Sequence, residues 1–313
     1  MCTIDAMIPV WNPDKRLKGC VDMLLRQTQK IRKITLVFSV DSIWDDKKVE
    51  EWFRSKERVQ IVRIPKDSFD HGGTRRRWAV SSNADYLLFL VQDAVPQDEY
   101  LVERLKGSIE NEAFALAYAR QIPGFGCDAI ESYTRNFNYP PNGEIKTKEG
   151  MEKGGIKACF TSNVCAMYRK DWYERVGGFE DHILLSEDSV YAAKALREGA
   201  RVVYCPDARI MHAHRFGYKT QWKRNFDIGV VHKKYAHIFD GCSSEKEGIR
   251  LVTDTALYLI REREWMLLPR LIGLSAVKFL GYQAGKHYEK LPIGLVIKWS
   301  LNENYWRKPY GKE

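Results

Sequence analysis

Four short segments of this 313-residue chain carry side chains that could perform chemistry. The first is Gln92-Asp93, which follows the continuous apolar run of residues 86–91. Such a run is typical of a strand covered on both faces of a parallel sheet. A carboxylate at the end of that strand could hold a divalent cation, because hard cations such as Mg²⁺ prefer oxygen ligands. Asp93 could also cap the following turn, and its position alone favours neither interpretation.

Two histidines, His212 and His214, are separated by one residue in the segment MHAH. If that segment is extended, both imidazole rings lie on the same side of the chain. One of them could then complete a metal site with Asp93. A lone histidine is more often a structural residue than a metal ligand, so the pair favours a metal site only modestly.

Glu187 and Asp188 lie at the start of a helix that we expect to begin after Ser186, its N-cap, and to end near Arg197. The positive potential of a helix N-terminus is expected to keep a carboxylate ionised at neutral pH. An ionised carboxylate in a cleft can act as the general base that removes a proton from a hydroxyl. Acidic residues are also common at helix starts for structural reasons, and taken alone the pair favours that simpler interpretation.

The fourth segment, HGGTRRR of residues 71–77, combines His71, two glycines and three consecutive arginines ahead of a predicted helix. Backbone N–H groups and guanidinium groups suit phosphate oxygens, although a basic surface run would look the same. Together the four segments predict a nucleotide-diphosphate site, where a cation and arginines neutralise a departing diphosphate. A separate carboxylate would take the proton from an attacking hydroxyl, which suits glycosyl transfer.

The elements that must position these residues alternate between strand and helix in the first half of the chain. Strands are predicted at 3–10, 34–40, 59–64 and 86–91, and helices at 17–25, 49–54 and 75–84. This alternation predicts an α/β fold with a doubly wound, mostly parallel sheet, whose ligands bind beyond the carboxyl ends of the strands. A further strand is predicted at 201–205, and a long loop at 124–155, which is rich in Gly, Asn and Pro.

A soft boundary near residue 240 divides the chain into a catalytic domain, 1–240, and a C-terminal helical segment, 241–313. Residues 261–310 mix large apolar side chains with Lys and Arg. This composition suits an interfacial helix on an anionic membrane surface. The alternative is an appendage that packs on the catalytic domain or on a second subunit, giving a homo-oligomer.

Composition narrows the class of protein and its compartment. The 44% of hydrophobic residues exclude a disordered chain, and a net charge of +9 favours an anionic partner such as nucleic acid, a membrane surface or a phosphorylated substrate. Seven cysteines form no C-x-x-C pair, which predicts buried thiols in a reducing compartment. We see no signal-peptide pattern and no uncharged apolar run of about 18 residues, so we expect a cytoplasmic protein.

These segments together resemble glycosyltransferase family 2, whose catalytic domain has the GT-A fold, and most closely the bacterial rhamnosyltransferases that use dTDP-L-rhamnose. The resemblance covers roughly residues 3–235. The segments that carry it are IPVWNP (8–13), SVDS (39–42), FDHGGTR (69–75), LVQDAVP (90–96), ARQIP (119–123), RNFNYP (135–140), GGIKACFTSNVCAMYR (154–169), VGGF (176–179), SEDS (186–189), HAH (212–214) and RNFDIG (224–229).

The resemblance implies a role for individual residues. Asp188 matches the catalytic base of the family's Glu-Asp motif. Asp93 matches the last carboxylate of its Asp-x-Asp metal motif, whose first acid is Val91 here, and His212 matches the metal-side histidine, with His214 as second choice. The implied substrate-binding residues are Pro9, Asn12 and Asp41 around the base and ribose, Arg75 and Arg224 near the diphosphate, and His71, Gln92, Arg120, Gln121, Asn163 and Glu187.

The resemblance also implies a reaction. It is a metal-dependent inverting transfer, with Mg²⁺ or Mn²⁺, that moves L-rhamnose from dTDP-L-rhamnose to a hydroxyl of a lipid-linked glycan in bacterial surface polysaccharide synthesis. The protein would then work peripherally on the anionic inner face of the plasma membrane, without nucleic acid. The alternatives are a family 2 enzyme that uses UDP-GlcNAc, UDP-galactose or another donor, a basic nucleic-acid-binding protein, and a non-catalytic module.

Overall fold

The computed structural model describes residues 2–40, 47–124, 126–153, 156–212, 216–239 and 245–307. Two of the predicted site residues, Asp41 and His214, lie outside these ranges, as does the expected domain boundary near residue 240.

The first half of the chain forms a parallel block of four strands. These are β1 (Ile4–Val10), β2 (Lys33–Val40), β3 (Val59–Pro65) and β4 (Tyr86–Leu90), joined by α1 (Lys15–Leu25), α2 (Lys47–Arg54) and α3 (His71–Ser81). Every residue of β4 is buried, as the unbroken apolar run predicts, because helices cover the sheet on both faces. The predicted alternation of strands and helices is therefore confirmed.

The second half continues the sheet with mixed strand directions. Its elements are β5 (Val95–Pro96), α4 (Leu101–Ser108), β6 (Phe114–Ile122), α5 (Ala129–Asn138), β7 (Glu144–Lys146), α6 (Lys148–Lys153), β8 (Cys165–Arg169), α7 (Lys170–Arg175), α8 (Glu187–Arg197) and β9 (Arg201–Met211). The strand order is β3-β2-β1-β4-β8-β6-β9-β5, with β7 also paired to β9. The expectation of a mostly parallel sheet holds for the first four strands, whereas antiparallel pairs dominate beyond β4.

The direction of strand β8 determines which residues reach the site. This strand runs antiparallel to both of its neighbours, β4 and β6, and Cys165 at its start pairs with Leu90 at the end of β4. The residues that precede β8 therefore emerge at the same edge as the residues that follow β4. A mixed sheet can in this way bring a segment that precedes one strand against segments that follow two others.

The predicted long loop at 124–155 is wrong, since it contains α5, β7 and α6. Helix α5 begins after Asp128, whose side chain accepts a hydrogen bond from the backbone N–H of Glu131 at 2.9 Å. An Asp followed three residues later by Glu is a helix-start pattern. The high content of Gly, Asn and Pro in the flanking residues obscured it.

The C-terminal helices are α9 (Tyr218–Lys234), α10 (Glu245–Arg261), α11 (Leu268–Lys286), α12 (Ile293–Trp299) and α13 (Glu303–Arg307). Helices α9 and α11 cross at close range because glycines face each other there. A Cβ on Gly285 would overlap the carbonyl oxygen of Phe226, and one on Gly229 would overlap that of Tyr282. Buried Asp227 of α9 also accepts the backbone N–H of Leu301 at 2.8 Å, so the C-terminal helices hold α9 in place.

We expect Gly285→Ala to lower the free energy of unfolding by about 1–3 kcal/mol, because the helices must separate to admit the methyl group. Gly294→Ala on α12, where a Cβ meets open space, is the matched control and should be neutral or slightly stabilising. Urea denaturation of the two variants checks this. Equal stabilities would mean that α11 does not pack on α9 in this way.

Candidate active site

The first part of the site lies where β4 ends. Strand β5 pairs with β9 so that Val95 lies opposite Met211, which brings Asp93 and His212 together. Both are buried, with 5% and 8% of their surface exposed. The Nε2 of His212 lies 3.7 Å from Oδ1 of Asp93, and Nη1 of Arg16 lies 3.2 Å from its Oδ2. The predicted pairing of Asp93 with a histidine after β9 is therefore observed.

The other ring nitrogen of His212, Nδ1, contacts two polar side chains. It lies 3.0 Å from Oε1 of Gln121 and 3.1 Å from Nη1 of Arg135, and Arg135 also donates to that same oxygen. An Nδ1–H that donates to Gln121 leaves the Nε2 lone pair directed at Asp93, as a metal ligand requires. If Nδ1 accepted from Arg135 instead, Nε2 would carry the proton.

Gln121 links this part of the site to the second part. Its side-chain amide donates to the hydroxyl of Ser162 at 2.9 Å and to that of Tyr139. Ser162 and Asn163 precede β8, and they reach this edge because β8 runs against β4 and β6. The link therefore depends on the strand order of the sheet.

Asn163 holds both predicted acids. Its backbone N–H donates to Oδ2 of Asp188 at 2.8 Å, and its side-chain amide donates to Oε1 of Glu187 at 2.9 Å. The hydroxyl of Tyr168 donates to the remaining oxygen of Asn163 at 2.7 Å. The orientation of this amide is thus fixed. The hydrogen bonds of Gln121 and of the adjacent residues Ser162 and Asn163 therefore link His212, beside Asp93, to the two carboxylates at one edge of the sheet.

The two carboxylates differ in protonation. Burial opposes the ionisation of Glu187, but Nη1 of Arg75 lies 3.2 Å away, and with His71 and Asn163 it holds the pKa of Glu187 below its usual range. Burial together with the charge of Glu187 raises the pKa of Asp188 to about 7, although this side chain remains partly accessible. The helix N-terminus, which was expected to keep Asp188 ionised at neutral pH, acts against these two effects. Burial and a neighbouring anion outweigh the helix dipole.

Ser186 also departs from expectation. It occupies the N-cap position of α8, but its backbone is left-handed, with φ of 62°, and its side chain makes no capping hydrogen bond. Instead Asp188, within the first turn, accepts the N–H of Ser189 at 2.7 Å.

The arginine run does not form a single phosphate cluster. It lies inside α3, so successive residues point in different directions. Arg75 is buried against Glu187 and also donates to the carbonyl of His71 at 2.8 Å, whereas Arg76 pairs with Asp181 at 3.0 Å and Arg77 is exposed. Burial lowers the pKa of His71, although the charge of Glu187 acts in the opposite direction.

The adjacent glycines are required for close packing. A Cβ on Gly72 would overlap the carbonyl oxygen of Glu180, and one on Gly73 would overlap the carboxylate of Asp70, which caps α3. These glycines let α3 approach the segment that leads into α8, and so bring Arg75 to Glu187.

The turn after β1 forms the other side of this edge. Gln92 accepts the backbone N–H of Trp11 and donates to its carbonyl oxygen, both at 2.9 Å. Asn12 follows with a left-handed φ of 47°, and Pro9 lies within β1 opposite Val37. The predicted residues Pro9, Asn12 and Gln92 thus lie at the carboxyl ends of β1 and β4.

The two remaining predicted residues differ in their relation to the site. Arg224 on α9 interacts electrostatically with Asp188, Tyr139 and Arg135, which places it beside the network. Arg120 interacts electrostatically with Tyr204, and no contact among the described residues joins it to the network.

Four residues of the site were missed by the sequence prediction: Arg16, Arg135, Tyr139 and Ser162. Arg135 and Tyr139 lie on and just after α5, so recognising the helix start at Asp128 would have marked them as neighbours on one helix face. Ser162 lies beside Asn163, within a segment already recognised. Nothing in the sequence signals that Arg16 reaches Asp93.

Comparison with known proteins identifies the family. The family model described as Glycosyl transferase family 2 matches residues 5–177. The O-antigen chain rhamnosyltransferase RfbN of Salmonella typhimurium is 32% identical over 307 residues, covering 97% of this chain and 96% of that protein. The O-antigen chain rhamnosyltransferase WbaN of Salmonella anatum is 33% identical over 250 residues, covering 79% of this chain and 78% of that protein.

Solved structures agree on the fold. The mannosyltransferase PcManGT from Pyrobaculum calidifontis, in complex with GDP-Man and Mn²⁺, gives a TM-score of 0.56 at 13% identity and covers 97% of this chain and 84% of that chain. Residues 1–349 of TarS from S. aureus give a TM-score of 0.52 at 12% identity, with coverage of 92% and 91%. These similarities confirm the predicted GT-A fold. The family match over residues 5–177, with relatives at 32% and 33% identity, shows that this chain is a glycosyltransferase and belongs to glycosyl transferase family 2.

Proposed function

We propose that this glycosyltransferase moves L-rhamnose from dTDP-L-rhamnose to a hydroxyl of a lipid-linked glycan, with inversion, in bacterial surface polysaccharide synthesis. The observation that carries the proposal is the continuous set of contacts from Asp93 and His212, through Gln121, Ser162 and Asn163, to Asp188. A group suited to a diphosphate-bound cation and a group suited to base catalysis thereby share one edge of the sheet. The two relatives named as O-antigen chain rhamnosyltransferases support rhamnose as the sugar.

Asp188 is the proposed general base. Its pKa of about 7 lies close to neutral pH, where a carboxyl group can both accept a proton and be ionised beforehand. Asn163 and Ser189 hold its two oxygens, which fixes the direction from which a hydroxyl can approach. Glu187, ionised against Arg75, serves as the neighbouring charge that raises the pKa of Asp188.

Asp93 and His212 fit a divalent cation. Their facing atoms are 3.7 Å apart, slightly more than the roughly 3 Å between adjacent oxygen or nitrogen ligands of an octahedral ion with bonds of about 2.1 Å. Within the described parts of the chain, no group of three or more His, Cys, Asp and Glu could hold a metal. The remaining positions would go to diphosphate oxygens and water, since Val91 replaces the first motif acid. Bound Mg²⁺ or Mn²⁺ would neutralise charge on the departing diphosphate.

The nucleotide would lie along the turn after β1. The two hydrogen bonds between the side chain of Gln92 and the backbone of Trp11 hold the turn at Trp11 and Asn12 against the end of β4, beside Asp93. Arg224 provides positive charge near Asp188, which suits a diphosphate, and Arg135, paired with Glu131, contacts His212.

A donor panel with the full-length protein tests the function directly. Purified protein is incubated with a lipid-linked glycan acceptor and dTDP-L-rhamnose, UDP-GlcNAc or UDP-galactose, and product mass and NMR linkage are read. We expect transfer from dTDP-L-rhamnose, with inverted anomeric configuration. Transfer from only a UDP-sugar would replace the donor assignment and leave the family unchanged.

We expect Asp188→Asn to lower kcat by about 100-fold or more while nucleotide binding is retained, because the amide cannot accept the acceptor proton. In the unaltered protein kcat/KM should rise with pH, reach half of its plateau near pH 7 and level off above it, as Asp188 becomes ionised. Glu187→Gln should move this limb to lower pH, because it removes the anion that raises the pKa of Asp188. A rate independent of pH from about pH 5.5 to about pH 8.5 would exclude Asp188 as the base.

We further propose that α10, α11 and the turn between them contact the anionic cytoplasmic face of the plasma membrane. Trp265 and Met266 in the turn are 64% and 77% exposed, and the exposed apolar side chains of the two helices are Ile249, Leu257, Ile260, Ile272, Phe279 and Leu280. The exposed residues before the turn, 261–264, alternate between Arg and Glu, so the exposed apolar side chains carry this proposal. None of the helices described has the length and apolar character of a bilayer-spanning segment.

We expect the double variant Trp265→Glu with Met266→Glu to lose most binding to anionic liposomes in a flotation assay, since each change places a charge in the interface. Val80→Glu, at an exposed apolar position on α3, is the matched control and should bind normally. Unchanged flotation of the double variant would exclude this turn as the membrane contact. A monomer-dimer change in light scattering would assign the same surface to a second copy of the chain.

A further inference from the structure

Arg16 at the start of α1 forms an ion pair that the glycosyl-transfer reaction does not require. Its Nε and Nη2 engage both oxygens of Asp14, the N-cap of α1, at 2.7–3.1 Å. Its Nη1 lies 3.2 Å from Oδ2 of Asp93. The fork on Asp14 limits the rotation of the guanidinium group, so Arg16 is held in place toward Asp93.

The contact with Arg16 changes the charge that Asp93 presents to a cation. Asp93 is 5% exposed, and Val91 stands where a second acid would add negative charge. Arg16, whose charge is shared between Asp14 and Asp93, therefore offsets part of the charge of the one carboxylate available, whereas Arg135 behind His212 is paired with Glu131 at 3.5 Å. A divalent cation that approaches Asp93 meets the guanidinium group of Arg16 already at Oδ2 of that carboxylate, and like charges at such range repel.

We propose that Arg16 makes divalent-cation binding depend on the nucleotide. The protein alone binds the ion weakly because Arg16 competes with it for Asp93. A nucleoside diphosphate supplies both the missing oxygen ligands and the missing negative charge, so that ion and nucleotide bind as a unit. This inference rests on the proposed metal role of Asp93 and His212.

A purely structural role for Arg16 predicts something different. If the fork on Asp14 only stabilised the start of α1, removing Arg16 would lower stability and leave metal affinity unchanged or weaker. Competition predicts the opposite sign, a gain in affinity for the metal alone. The direction of the change therefore separates the two roles.

The test measures Mn²⁺ binding to the full-length protein by electron paramagnetic resonance of the free ion, with and without dTDP. Arg16→Gln should bind Mn²⁺ alone at least about tenfold more tightly than the unaltered protein, and dTDP should then enhance binding less. Arg16→Lys, which keeps the charge, should retain weak binding without dTDP. Lys15→Gln removes the same charge one residue away and should change affinity less than about twofold. Unfolding curves for each variant confirm that it is folded.

Two outcomes separate failure of this inference from failure of the metal assignment. If Arg16→Gln binds Mn²⁺ alone no more tightly than the unaltered protein, while dTDP still promotes binding in both, competition by Arg16 is excluded and the metal site stands. If Asp93→Ala binds Mn²⁺ normally in the presence of dTDP, the metal does not bind at Asp93, and the inference is overturned with that assignment.

Discussion

Two adjacent carboxylates, Glu187 and Asp188, share one crowded position, and the rest of the site depends on how their charge is distributed. Ionising both in a poorly hydrated setting is costly unless a cation and hydrogen-bond donors accompany them. Arg75 and the side chain of Asn163 support the ionised form of Glu187, and that charge in turn raises the pKa of Asp188 to about 7. Two neighbouring carboxylic acids thus differ in their tendency to ionise, which the proposed division of roles between them requires.

This arrangement is possible only because of the mixed sheet. Strand β8 lies between β4 and β6 and runs against both, so Ser162 and Asn163 arrive at the edge where β4 and β6 end. A wholly parallel sheet would place the residues before β8 at the opposite edge, away from Asp93 and Gln121. Helix α9 then places Arg224 beside this edge, and its glycine contact with α11 and the Asp227 hydrogen bond keep it there.

Local sequence patterns predicted the elements of the first half of the chain and the four segments that carry Asp93, His212, Glu187 and Arg75, but not which atoms meet. Gln121, Asn163 and Arg224 were named only from the family resemblance. Asp93, which follows the apolar run, and the histidine after β9 were predicted to share one site, and their side chains do lie together. The three arginines of α3 looked equivalent, and only the helical rotation and the close approach of the segment at Glu180 distinguish buried Arg75 from outward Arg76 and Arg77. The pKa of Asp188 depends on burial by residues distant in sequence, which its position at the start of a helix does not reveal.

The two ends of the network differ in how their carboxylates are compensated. Around Asp93, the guanidinium group of Arg16 lies against the carboxylate but is shared with Asp14, and Arg135 behind His212 is paired with Glu131. At the other end, Glu187 pairs with Arg75, whereas Asp188 is held by the backbone N–H groups of Asn163 and Ser189 and faces the charge of Glu187. In the proposed reaction, a proton that moves to Asp188 would relieve its repulsion with Glu187, while a bound cation would take up the negative charge that builds on the diphosphate. Gln121, Ser162 and Asn163, which are uncharged, separate the two ends without adding to either.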